Sequence, residues 1–138
     1  EGIHKDVQKM YVTATGNYVF ELKADAFSVH EYDEYGSGQN LPIIIQVSIS
    51  ADGKIIDCLT LSHGESKNIG DKCATQEYYD TWIGVTADRV VISKEPITSD
   101  NTDPGAIAGA TWTAQGYQRA IKRAFEAFHL LTGGNQND

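Results

Sequence analysis

The tract from Pro42 to Ser50, PIIIQVSIS, constrains the fold most. Ile43, Ile45, Val47 and Ile49 recur at every second position, and in a strand that spacing puts all of them on one face. β-Branched residues suit such a pleated, half-buried surface. Ala51-Asp52-Gly53-Lys54 follows as a turn, and Ile55 to His63 returns as the second arm of a hairpin, with Leu59 and Leu61 extending the alternation. An apolar sheet face must be covered, so the rest of the chain has to supply a layer.

The cover is a segment of helical period. From about Thr113 to Leu131, apolar residues stand at Tyr117, Ile121, Ala124, Phe125, Phe128 and Leu131, and Gly133-Gly134 ends the run. A second helical pattern spans Gly70 to Trp82, with Cys73, Tyr78 and Trp82 roughly a turn apart and Gly84 as its stop. Near the start, Asp6 to Met10 reads as a short helix. The β-rich runs Tyr11 to Thr15 and Tyr18 to Ala24 then flank Gly16-Asn17 as a hairpin. Arg89 to Ser93 reads as a further short strand, and Lys94 to Gly105 as a loop. Together these predict one α+β domain over residues 1–138: an antiparallel β-sheet with packed helices, including a long C-terminal amphipathic helix.

Charge and composition exclude several functions. A net charge of −8 argues against a nucleic-acid groove, which needs clustered Lys and Arg. Arg119, Lys122 and Arg123 do cluster, but at the spacing of a solvated helix face. No apolar run approaches the roughly 18 residues of a membrane span, so this segment does not insert directly. The chain begins at Glu1 without Met or a leader pattern and reads as an excised or processed piece of something larger, from which an anchor could have been removed. Cys58 and Cys73 could form one bridge or remain thiols. His4, His30 and His129 are scattered, and the acidic stretch Asp25 to Glu34 lacks the periodicity of a calcium loop, so no metal site is expected.

The chemistry concentrates at the mouth of the long helix, in GAIAGATWTAQGYQRAI from Gly105 to Ile121. A helix N-terminus offers unpaired N–H groups and a partial positive charge, a natural seat for phosphate. Ala106, Ala108, Gly109 and Ala110 would let a ligand approach the backbone. Thr111 and Thr113 bring hydroxyls there, and Trp112 brings an aromatic plane. The same residues also suit an N-cap and tight packing on a sheet, and from the residues alone both readings stand. His63 and Glu65, at a strand end, are similarly either an acid–base pair or a solvated one. Tyr32, Tyr35, Tyr78, Tyr79 and Trp82 could either stack on a flat ligand ring or bury as amphipathic rings at loop and helix edges.

Gly109-Ala110-Thr111-Trp112-Thr113 resembles the Ser-Gly-Ala-Thr-x-Thr signature of the FMN-binding domain family, found in small flavin subunits of the Rnf and sodium-translocating NADH:quinone oxidoreductase complexes. Ser62-His63-Gly64-Glu65-Ser66-Lys67-Asn68-Ile69-Gly70-Asp71 resembles the family's His-x-Glu-Thr-Pro-Gly-Leu-Gly loop. With Gly36-Ser37-Gly38, Pro42-Ile-Ile-Ile and the Asp52-Gly53-Lys54 turn in the same order, the resemblance covers about residues 30–131. It implies FMN as cofactor, joined to Thr111 through a phosphoester by a separate flavin transferase, with Glu65 and Ser66 at the polar edge of the flavin ring. It further implies electron relay among subunits of a membrane redox complex, on the extracytoplasmic side. The chain departs from the pattern at Gly105, where the family has aspartate, at Ala108, where it has Ser or Thr, and at Lys67-Asn68, where it has Pro-Gly. An interaction domain without flavin on the same scaffold is the alternative expectation.

Overall fold

The computed structural model describes residues 7–24, 43–62, 70–94 and 96–133. A sheet in the order β1-β2-β3-β4 is built from β1 (Val7–Val12), β2 (Tyr18–Ala24), β3 (Ile43–Ile49) and β4 (Ile55–Ser62). Every neighbouring pair is antiparallel. The Gly-Asn hairpin forms as expected, closed by the Thr13 N–H donating to Asn17 O at 2.8 Å and by Gly16 at φ +88°. Its first arm starts earlier than predicted. Val7 to Met10 is strand and not helix, because pairing with β2 supplies the hydrogen bonds that a short isolated helix makes poorly.

Ile43, Ile45, Val47 and Ile49 are fully buried, as the alternation predicts. Burial of each stabilises the fold by about 1.5–3 kcal/mol. Phe20, Leu22 and Ala24 of β2 lie beside them on the same face. In β4 the alternation breaks. Ile55 pairs with Ile49 and is buried, but Ser48 pairs with Asp57 and Val47 with Cys58, so an extra residue at Ile56 reverses the phase. A second shift near Leu61 completes the irregularity. Cys58 and Thr60 therefore face the core, whereas Leu59 and Leu61, expected to extend the Ile55 alternation, are exposed.

The covering layer is α2 (Thr111–Leu131), packed on β2, β3 and β1. Its buried face holds Ala114, Tyr117, Ile121, Ala124, Phe125 and Phe128, and its alanines let the helix lie close to the sheet. Leu131, predicted on that stripe, is exposed at the C-terminal end, where Thr132 caps and Gly133 takes φ +91°. The pattern over 70–82 divides in two. Gly70–Ala74 is a 3-10 turn, and Thr75 then interrupts it by accepting the Tyr78 N–H at 3.2 Å and capping α1 (Gln76–Asp80). Cys73, Tyr78 and Trp82 nonetheless share the buried side. Val90 to Ser93 pairs with no strand among the described residues. A 3-10 turn occupies Ala87–Arg89, and Ser93 spends its backbone groups on helix side chains instead.

Candidate functional site

The flanks of one connection and the body of a second meet the N-terminal half of α2. The first leaves β4 at Ser62 and resumes at Gly70. Its flanks are tied together because the Thr60 hydroxyl donates to Cys73 O at 2.6 Å. A carbonyl can only accept, so the Thr60 oxygen receives the Tyr117 hydroxyl at 2.8 Å, and Tyr117 in turn accepts the Cys58 thiol at 3.3 Å. This one-way chain joins β4, the 3-10 turn and α2. Tyr117 is six residues beyond Thr111, about 9 Å along the helix axis. His63, Glu65, Ser66 and Ile69 of the upstream motif lie outside the described residues. Gly70 opens the 3-10 turn.

Aromatic rings fill the space behind this chain. Trp82 stacks on Tyr117 with ring centroids 6.1 Å apart, and Tyr78 meets Tyr117 edge-on at 5.0 Å. Burial pushes the hydroxyl pKa values of Tyr78 and Tyr117 well up, and it pushes the Cys58 thiol up to about 12. Cys58 and Cys73 are both buried thiols, not a disulfide. These rings and thiols form a neutral core wall. Tyr78, Tyr79 and Trp82 are core residues and not an exposed stacking surface.

The second connection runs from Ser93 to Ala110 and is loop, as expected. The Tyr78 hydroxyl donates to Gly105 O at 2.8 Å. Gly105 has φ +78°, and a Cβ there would meet Trp82 Cε2 at 2.8 Å and Tyr78 Oη at 3.0 Å. Only glycine fits, which gives the departure from aspartate a packing cause. Asp103, two residues earlier, accepts the Ser93 hydroxyl at 2.9 Å.

At the helix mouth, Ala108 and Gly109 are exposed, Ala110 is buried and Thr111 is half-buried. Gly109 has φ +79°, and nothing lies within 4 Å of where its Cβ would stand. Ala110 is the N-cap and has no hydroxyl or carboxylate to offer the first-turn N–H groups, and that turn holds no acidic residue. The positive end of the helix dipole is thus uncompensated by its own cap. Thr111, considered as a cap, is instead the first helical residue; its Oγ1 accepts the Ile97 N–H at 3.1 Å. Thr113 is buried at 6% exposure, turned to the protein side. The backbone of Trp112 lies within the first turn. An open backbone, an uncapped positive helix end and an oriented hydroxyl fit an attached phosphate.

Sequence reading missed Gln118. It is fully buried and both of its polar atoms are partnered: its Oε1 accepts the Ser93 N–H at 2.9 Å, and its Nε2 donates to Ser93 Oγ at 2.8 Å and Pro104 O at 2.9 Å. The available signal was a polar residue one position after Tyr117, inside the apolar stripe.

No helix among the described residues is long and apolar enough to cross a membrane, and no metal-ligand cluster occurs among them. The family model of the FMN-binding domain matches residues 38–126. The chain is 28% identical over 92 residues to a subunit of the proton-translocating ferredoxin:NAD(+) oxidoreductase complex of Clostridium ljungdahlii, covering 67% of this chain and 49% of that protein. It is 30% identical over 91 residues to a subunit of the ion-translocating oxidoreductase complex of Shewanella oneidensis, covering 63% and 42%. The corresponding protein of Shewanella baltica matches at 29% over 96 residues, covering 67% and 44%. The chain spans less than half the length of these curated relatives. With the match covering more than half of its residues and both motifs, this chain belongs to the FMN-binding domain family, and its cofactor is FMN.

Proposed function

We propose that this chain carries FMN as a phosphoester on Thr111 and relays electrons within a membrane-associated redox complex on the extracytoplasmic side. The observation that carries the reading is the mouth of α2, where Ala110 leaves the first turn uncapped while the Ile97 amide holds Thr111 Oγ1. Ester formation joins Oγ1 to phosphorus, releases the hydroxyl proton and expels the leaving group of the flavin donor. Gly109 admits the phosphate to the backbone, and the helix end balances its charge. Bound FMN supplies the electron-accepting and electron-donating chemistry, and the protein supplies position and surroundings.

The resemblance assigns Glu65 and Ser66 to the polar edge of the ring, with His63, Ile69 and Gly70 in the same loop. Other members of a larger complex are the electron partners, in keeping with the names of the relatives, and a flavin transferase is the maturation partner. The flavin-free interaction domain loses one of its supports, because Gly105 is explained by Trp82 without reference to the cofactor.

The test is denaturation followed by desalting of the protein co-produced with a flavin transferase. Flavin absorbance that stays with the chain supports the ester. Flavin released into the small-molecule fraction would point to non-covalent binding.

A further inference from the structure

Burying a polar side chain completely is costly unless each donor and acceptor is met. Gln118 meets that demand in a particular way: its three hydrogen bonds go to Ser93 and Pro104, which bracket a strap of chain within the Ser93–Ala110 connection. Gln115, nearly one turn earlier, donates to Ser93 O at 2.9 Å, so the N–H, carbonyl and hydroxyl of Ser93 are all engaged from the helix. The Ser93 hydroxyl donates to Asp103 Oδ2 at 2.9 Å, and Asn101 Oδ1 accepts the Asp103 N–H at 2.7 Å, which braces the far end of the strap.

The strap held this way carries Ile97, the residue that touches the FMN-binding motif through its backbone. Ile97 O accepts the Gly109 N–H at 3.3 Å, and its N–H donates to Thr111 Oγ1 at 3.1 Å. That second bond uses a lone pair of the oxygen and not its proton. It selects one of the staggered χ1 positions of Thr111 while leaving the oxygen able to form a bond to phosphorus. The Ile97 side chain is buried in the core, so the strap is fixed at its middle as well as its ends.

We propose that Gln118 is the positioning residue for the Thr111 hydroxyl, acting through the Ser93–Pro104 strap and the Ile97 amide. This rests on Thr111 as the attachment point. Gln118 touches neither phosphate nor flavin. It fixes where the oxygen stands before attack, and misplacement of a reacting atom by about 1 Å can cost on the order of 100-fold in rate.

The experiment compares wild type with Gln118→Met, which keeps the bulk and removes the hydrogen bonds, and with the milder Ser93→Ala in case the first variant does not fold. Amide hydrogen exchange is followed at Ile97 and at Ile45 in the unmodified chains. FMN attachment is followed by intact mass at fixed times of co-production with a flavin transferase. The expected result is an exchange increase at Ile97 at least about ten-fold larger than at Ile45, which reports global stability, with attachment slowed about ten-fold or more. Equal increases at both amides, with normal attachment in the variants, would overturn the role of Gln118 while leaving Thr111 as the attachment point. A wild-type chain that takes up no FMN would remove that reading and the role with it.

Discussion

Gly105 lies against the indole of Trp82 so closely that a Cβ would meet Cε2 at 2.8 Å, while the neighbouring Tyr78 hydroxyl donates to the Gly105 carbonyl at 2.8 Å. Gly109, with nearly the same positive φ, faces open space. These glycines isolate two costs that usually occur together. Gly109→Ala carries only the left-handed backbone penalty, about 1 kcal/mol. Gly105→Ala adds displacement of a fully buried ring, for a total of about 2–4 kcal/mol. Urea melts of the two variants are expected to rank them in that order, and equal midpoints would contradict the packing account.

Replacing Gly105 by aspartate, the residue usual in the family, is expected to destabilise this chain at least as much as alanine does. A longer side chain must displace the same buried ring, and it would bring a charge to a buried backbone position. Thermal unfolding of Gly105→Asp beside Gly105→Ala checks this, and a variant as stable as wild type would show that the loop repacks freely.

The raised Cys58 pKa makes stability depend on alkaline pH. The folded thiol holds its proton to about 12, against 9.0 for an unperturbed thiol, so above pH 9 the unfolded chain loses a proton that the native chain keeps. Stability is thus fully present below pH 9 and falls as pH rises, with a slope approaching about 1.4 kcal/mol per unit from this group. Tyr117 and Tyr78, also shifted upward, steepen the fall above pH 10. Cys58→Ser keeps a donor to Tyr117 but does not titrate, so urea melts at pH 8, 9 and 10 should show a shallower decline than wild type.

Both thiols are also expected to be inert in the native state. Cys58 and Cys73 are at most 2% exposed, and the thiolate is the reactive form. A thiol reagent at pH 8 should label neither until urea unfolds the chain, then both, and reductant should not change the intact mass. Rapid native labelling of either cysteine would contradict the buried wall behind the helix.

Much of the fold was legible because its strongest signals are local. The alternation from Ile43 to Ile49 and the helical stripe from Tyr117 to Phe128 each report a buried face directly. The phase of β4 was hidden because a bulge at Ile56 is a matter of pairing, and pairing belongs to two strands at once. Val7 to Met10 was misread for a related reason: β2 makes it a strand.

At the site, the threonine and its small neighbours were visible as a motif, yet their hydrogen bonds were not. Thr111 invited a capping role, but its oxygen accepts from Ile97, fourteen residues earlier in the chain, while Ala110 occupies the cap. Gln118 drew no notice because a lone glutamine in a helix is ordinary until its burial and partners are known. Gly105 read as a departure from the family, whereas Trp82 makes it a requirement of this core.

Attachment at Thr111 is measured most directly by the intact mass and visible absorbance of the chain co-produced with a flavin transferase, alongside Thr111→Ala. A yellow protein heavier by FMN minus water is expected, with an unmodified mass for the alanine variant. A colourless wild-type chain of unmodified mass, or a variant that gains the same increment, would contradict Thr111 as the point of attachment.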